Sequence, residues 1–213
     1  MIRGLHRAWW VAGVTFLVLL ASAAFRSSFG VMIVPFEDDL GWSRTATSIA
    51  VSVNLVFYGV TAPFATALME RFGIPRIVAM SLGLIALGTG LTVFMTQSWQ
   101  LTLLWGVLVG LGTGSTALVF GALVANRWFA KHRGLVLGVL GTAFATGQLV
   151  FLPIISSTIE SHGWRVASLA ISAMCLAIIP LVLLVIRDRP SSVGLRPYGA
   201  EGNPTAEELG QNT

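Results

Sequence analysis

Charge is scarce in this chain. Asp, Glu, Lys and Arg supply only 10% of its 213 residues, and the mean hydropathy is +0.82. A folded domain with so little charge cannot dress its surface for water, which excludes an ordinary soluble protein. A lipid bilayer can solvate such a surface, provided every backbone polar group is bonded within its own helix. Cysteine is nearly absent: Cys175 stands alone, so no internal disulfide is possible and nothing follows about redox compartment. The three histidines, His6, His132 and His162, fall in turns or near a terminus. None has a second ligand at metal spacing, so neither a metal site nor a cofactor is expected. No carboxylate lies inside an apolar stretch, so this chain carries no obvious proton carrier. It also lacks a Ser-His-Asp set, a glycine-rich phosphate loop and a paired carboxylate, which argues against an enzyme.

What the chain does have is apolar sequence in six long blocks. About 20 mostly apolar residues cross a hydrocarbon core roughly 30 Å thick. Spans are expected near 10–34, 45–69, 77–96, 101–125, 134–158 and 166–186, making residues 1–189 an all-α bundle of six transmembrane helices. The turns between them are too short for a second domain. Residues 190–213, rich in Pro, Gly, Glu and Asn, suggest a solvated linker or tail.

Basic residues alternate with the spans. Arg3, Arg7, Arg71, Arg76, Arg127, Lys131, Arg133, Arg187, Arg189 and Arg196 all fall on one side of a six-span chain. The other side holds Arg44 and Arg165 with Glu37, Asp38, Asp39 and Glu160. The positive side faces the cytoplasm. Both termini are therefore expected there, with the chain multi-pass in the cell (inner) membrane. The pI near 10.2 reports this topology, and nucleic acid is not an expected partner. Trp9, Trp10, Trp42, Trp99, Trp128 and Trp164 stand at span ends, where indole rings favour the headgroup zone, whereas Trp105 is inside a span. A cleavable signal peptide ending near Ala21-Ser22-Ala23 is the competing view of the start, but the apolar run continues past it.

Arg26 is the one formally charged residue inside a span. A central arginine costs about 2.5–3.5 kcal/mol on insertion scales, so it usually faces a partner or a wet cavity. With a rise of 1.5 Å per residue, Arg26, Asn54 and Gln148 lie about 13–15 Å below the outer ends of their spans. Tyr58 shares a face with Asn54. A guanidinium fork with amide and phenol donors suits a carboxylate. The alternatives are snorkelling of Arg26 to the outer interface, and plain interhelical hydrogen bonding by Asn54 and Gln148. Gly106, Gly110 and Gly114 on span four, and Gly134, Gly138, Gly141 and Gly147 on span five, form seams that allow close helix approach, for static packing or for sliding.

Two turns carry a family signal. Glu70-Arg71-Phe72-Gly73-Ile74-Pro75-Arg76 resembles the loop between helices two and three of the major facilitator superfamily, G-x-x-x-D-R-x-G-R-R, with Thr66 in place of the leading glycine and Pro75 in place of a base. Arg127-Trp128-Phe129-Ala130-Lys131-His132-Arg133-Gly134-Leu135 is similar to the monocarboxylate-transporter branch, which includes oxalate/formate-antiporter-like members. Residues 189–199 look like that branch's entry to its central loop. The resemblance implies the amino-terminal half of a twelve-helix secondary transporter, working by alternating access on small organic anions such as mono- or dicarboxylates. Arg26, Asn54, Tyr58 and Gln148 would bind substrate. Glu70, Arg71, Gly73 and Arg76, with Arg127, Lys131, Arg133 and Gly134, would form cytoplasmic gating loops. The implied partners are the bilayer and either a second six-helix half or a second copy. A multi-pass scaffold or regulator that moves no solute is the alternative.

Overall fold

The computed structural model describes residues 6–200, the side chain of Leu118 excepted. Arg3, and residues 201–213 of the expected tail, lie outside the described residues. Five helices are long and apolar enough to cross a membrane: α1 Arg7–Leu40, α2 Arg44–Phe72, α3 Ile74–Phe94, α4 Ser98–Trp128 and α5 Arg133–Val185. Among the described residues there is no strand, only an isolated bridge between Phe129 and Tyr198.

The turns are as short as the hydropathy pattern demands. Gly41 ends α1 with φ 67° and returns its N–H to the Glu37 carbonyl, and Ser43 Oγ then accepts from the Ala46 N–H to start α2. That is a left-handed cap followed at once by an N-cap. A single residue, Gly73 at φ 92°, separates α2 from α3, with Pro75 in the first turn of α3. Only a glycine takes that φ without strain, and proline is pre-set for a helix start. At the head of α4, Gln100 Oε1 accepts from the Thr96 and Gln97 N–H groups at 2.8 and 3.1 Å.

The structure departs from six separate spans at the end of the chain. The expected spans 134–158 and 166–186 are one helix by hydrogen bonding, α5, 53 residues long. At 1.5 Å per residue it would run about 80 Å, far beyond one crossing. Only Gly163, at φ 82° and ψ 164°, leaves helical geometry. The chain doubles back there. Before Gly163, Leu140 lies near Leu19, and Gly147 lies on Leu20 and Ala23, so numbers rise together along α1. After it, Trp164 Nε1 donates to Asp39 Oδ2 at 2.8 Å and Ser168 approaches Met32, so numbers run in opposition. One glycine does the work of the loop that was expected.

The glycine seams are unequal. Gly106, Gly110 and Gly114 of α4 press on α2: a Cβ at Gly110 would meet Phe57 Cβ at 2.9 Å and the Asn54 carbonyl at 3.1 Å. On α5, only Gly147 is packed, and nothing lies within 4 Å of a Cβ at Gly134, Gly138 or Gly141.

Most of the described basic residues gather at one end, where Arg7, Arg71, Arg76, Arg127, Arg187 and Arg189 line one cleft, while Arg44 and Arg165 pair with Glu37 and Asp39 at the other. Trp128 is buried there and donates Nε1–H to the Arg187 carbonyl at 3.2 Å. Trp164 is buried at the other end. Two of the indoles expected at the lipid interface therefore anchor chain to chain. The described part of the tail, 190–200, is docked, although its composition suggests a solvated linker. The Tyr198 N–H donates to the Trp128 carbonyl at 2.8 Å, its carbonyl accepts from the Ala130 and Lys131 N–H groups, and its ring packs edge-on against His6, Trp9 and Phe129.

The seam predicts a contrast. Gly110→Leu should destabilise the chain by about 1–3 kcal/mol, the usual result of overpacking. Gly138→Leu should be neutral or slightly stabilising, because leucine favours helix and has room. Unfolding in mixed micelles measures both.

Candidate functional site

The site begins with a break in α4. Residues Thr102–Val109 are wound as a π-helix, and α-helix resumes over Gly110–Ser115. Thr116 (φ −98°, ψ 21°) and Ala117 (φ −65°, ψ 179°) then leave helical geometry before the helix restarts at Leu118. Irregular backbone at membrane depth is tolerated where it is buried in protein or lines a cavity. A cavity of about 220 Å³ does lie at the break, walled by Ser22 and Arg26 of α1, Tyr58 of α2, Thr116 and Ala117 of α4, and Phe144 of α5. Ser22 Oγ and Thr116 Oγ1 share a buried hydrogen bond of 2.7 Å that ties α1 to the break.

Arg26 is partly buried on this wall. Its guanidinium carbon sits 4.5 Å from the Tyr58 ring centroid and 5.5 Å from that of Phe144. The two rings offer π-faces to the cation. Its Nη1 is sealed from solvent and has no hydrogen-bond partner among the described residues. An unpaired N–H of a charged group is costly to bury, and an anion in the cavity would relieve it. The restarting helix adjoins the same space, and its N-terminal end carries partial positive charge.

The structure brings together two of the four residues expected to bind substrate, Arg26 and Tyr58. Asn54 is fully buried one turn away, but its Nδ2 donates to the Trp105 carbonyl at 2.6 Å, inside the π-helical stretch. Its Oδ1 is buried without a hydrogen-bond partner among the described residues. Asn54 therefore clamps α2 to α4 and does not line the cavity. Gln148 is exposed on α5, also away from the cavity. Thr116 and Phe144 were not anticipated. The helix break gives Thr116 its place; the glycines just before it, Gly110, Gly112 and Gly114, signalled close packing and not a break. Phe144, one of twelve phenylalanines, has no charge or polarity to single it out within an apolar span.

The loop residues gather at the basic end, and one ion pair links the two loops. Glu70 pairs with Arg127 at 3.8 Å, joining the α2–α3 turn to the end of α4. Arg71 lies over the Phe72 ring at 5.3 Å. Arg133 Nε donates to the Phe129 carbonyl, Arg76 is exposed in the cleft, and Gly134 opens α5 with free space around it. Lys131 packs along Gly199. The hub is a residue the loop motifs do not contain. Asp188, just after α5, accepts the Ile74 N–H with Oδ1 and so caps α3, which has no side-chain cap of its own. Its carbonyl accepts from Arg127 Nη1 at 3.4 Å. An acid at a helix start is favourable, and the signal was an aspartate between two arginines where the last helix ends.

A multi-pass helical membrane protein with a lone cation on a cavity wall and a basic, cross-bonded end is the class so defined. Comparison with known proteins agrees. The family model described as Major Facilitator Superfamily matches residues 15–211, and the chain belongs to that family. It is 27% identical over 177 residues to "Uncharacterized MFS-type transporter YcxA" of Bacillus subtilis (strain 168), covering 83% of this chain and 43% of the relative. It is 29% identical over 185 residues to "Oxalate:formate antiporter" of Oxalobacter formigenes, covering 86% and 43%. It is 31% identical over 183 residues to "Monocarboxylate transporter 13" of Bos taurus, covering 84% and 41%. The chain thus spans less than half the length of these relatives.

The Asn54 geometry yields a test. Asn54→Leu should change stability by less than about 1 kcal/mol, since interhelical hydrogen bonds in membranes average about 0.6 kcal/mol. Trp105→Ala should cost about 3–5 kcal/mol, because its ring is enclosed by Phe25, Phe29 and Phe36. Denaturation of each purified variant in mixed micelles gives the comparison.

Proposed function

We propose that this chain is the six-span amino-terminal half of a secondary active transporter for small organic anions, mono- or dicarboxylates. The two antiparallel arms of α5, 133–162 and 164–185, each count as one crossing in this reading. The basic end is cytoplasmic, as are both ends of the described chain, and the membrane is the cell (inner) membrane. Transport proceeds by alternating access: this bundle rocks against a second six-helix body around a site between them. That second body is a further half or another copy of the chain.

The observation that carries the proposal is the unpartnered, sealed Nη1 of Arg26 on the wall of the cavity of about 220 Å³. A carboxylate of a small anion accepts from it, while Tyr58 and Phe144 hold the guanidinium plane. Asn54 sustains the site indirectly by fixing α2 on α4. Gln148 stands on an outward face of α5, where it would meet substrate only with a second bundle in place. The relatives named as oxalate:formate and monocarboxylate carriers support the same class of substrate. Glu70, Arg71, Gly73 and Arg76, with Arg127, Lys131, Arg133 and Gly134, act as the cytoplasmic gate, closed by contacts such as Glu70–Arg127.

Arg26→Gln in the complete transporter, reconstituted in liposomes, should abolish carboxylate uptake while membrane insertion and yield stay unchanged. Uptake equal to the unsubstituted protein would remove Arg26 from the substrate site and the proposal with it.

A further inference from the structure

The basic end holds more positive charge than its own contacts use. Its cleft, about 710 Å³, is lined by the six arginines named above and by two carboxylates, Glu70 and Asp188. Both carboxylates are engaged. Glu70 pairs with Arg127, and Asp188 accepts the Ile74 N–H. Arg71 rests on Phe72. Arg7 of α1, Arg76 of α3 and Arg187 beyond α5 make no side-chain hydrogen bond or ion pair among the described residues, yet all three face one cleft. Orientation in the membrane requires basic residues on a given side; it does not require three distant segments to aim theirs at a shared space. Like charges brought together repel unless an anion sits among them.

We infer that this cleft binds a phosphate-bearing anion, and specifically the headgroup phosphate of an anionic membrane lipid. Guanidinium forks match phosphate oxygens in pairs. The cleft lies at the helix ends, with half-buried Arg7 opening α1 close to Trp9, at the level where headgroups lie. The engaged residues Arg127, Asp188 and Glu70 build the wall, and the three unpaired arginines meet the ligand. The inference does not depend on the substrate site at Arg26, because it concerns the other end of the bundle and a different anion, although Arg76 and the cleft walls also belong to the gate proposed above.

Native mass spectrometry of the full-length chain in a neutral detergent tests it, with phosphatidylglycerol or phosphatidylcholine added at equal levels and inorganic phosphate as a third arm. Phosphatidylglycerol should be retained in preference to phosphatidylcholine. A surface-near arginine is worth about fivefold in anionic-lipid affinity, so each of Arg7→Gln, Arg76→Gln and Arg187→Gln should weaken retention by about that factor, and the triple variant by about a hundredfold. Raising the salt should weaken it as well. Inorganic phosphate that binds alone, with the same arginine dependence, would support the phosphate chemistry and make free phosphate the source. Equal retention of both lipids, or a triple variant that retains phosphatidylglycerol like the unsubstituted chain, would overturn the inference. So would a polyglutamate peptide that displaces the lipid while inorganic phosphate does not, since the cleft would then be a protein-docking surface. If the triple variant does not fold, the salt series and the competitors on the unsubstituted chain decide.

Discussion

Hydrocarbon offers no water to a peptide group, and the rest of this structure follows from that. Long helices satisfy the demand over most of the chain. Where α4 departs from a regular helix, its irregular backbone is tied to neighbouring helices or borders a cavity. The π-helical turn leaves the Trp105 carbonyl to the Asn54 amide. The break at Thr116 and Ala117 is held by the Ser22–Thr116 bond and opens on the cavity. A regular helix through this point would have had no reason to leave a void beside Arg26.

Close approach of α2 and α4 is the second requirement. Gly114 stands so near α2 that a Cβ would lie 2.8 Å from the Tyr58 carbonyl. The seam therefore sets the height of Tyr58 and with it the ring beneath the guanidinium. Packing and site are one problem here: the small residues that let two backbones touch also deliver an aromatic ring to a cation. At the opposite extreme, Gly134, Gly138 and Gly141 of α5 leave open space where a Cβ would stand, so they bring no helix of the described residues into close approach.

The basic end shows how distant segments are made to cooperate. Asp188 caps a helix 114 residues earlier in sequence, Trp128 reaches the Arg187 carbonyl, and Tyr198 lies under the start of α1. Composition marked residues 190–213 as a solvated linker or tail because Pro, Gly, Glu and Asn are common there. It could not show that Tyr198, one of only two tyrosines, carries an aromatic face able to dock among His6, Trp9 and Phe129. The same limit applies at Gly163, where the pattern of apolar blocks marked a reversal but not that one residue would suffice.

Hydropathy and charge belong to the residues themselves, so the sequence alone determined that the chain is helical, that it sits in lipid, and that most of its arginines collect at one end. It also singled out Arg26, because a charge within an apolar run is costly wherever it ends up. Which groups surround that charge was a matter of tertiary structure. Tyr58 joined it and Asn54 turned away to Trp105 although both lie on one helix face, while Phe144 and Thr116 came from helices far along the chain. Periodicity assigns a residue to a face, but only packing decides what that face meets.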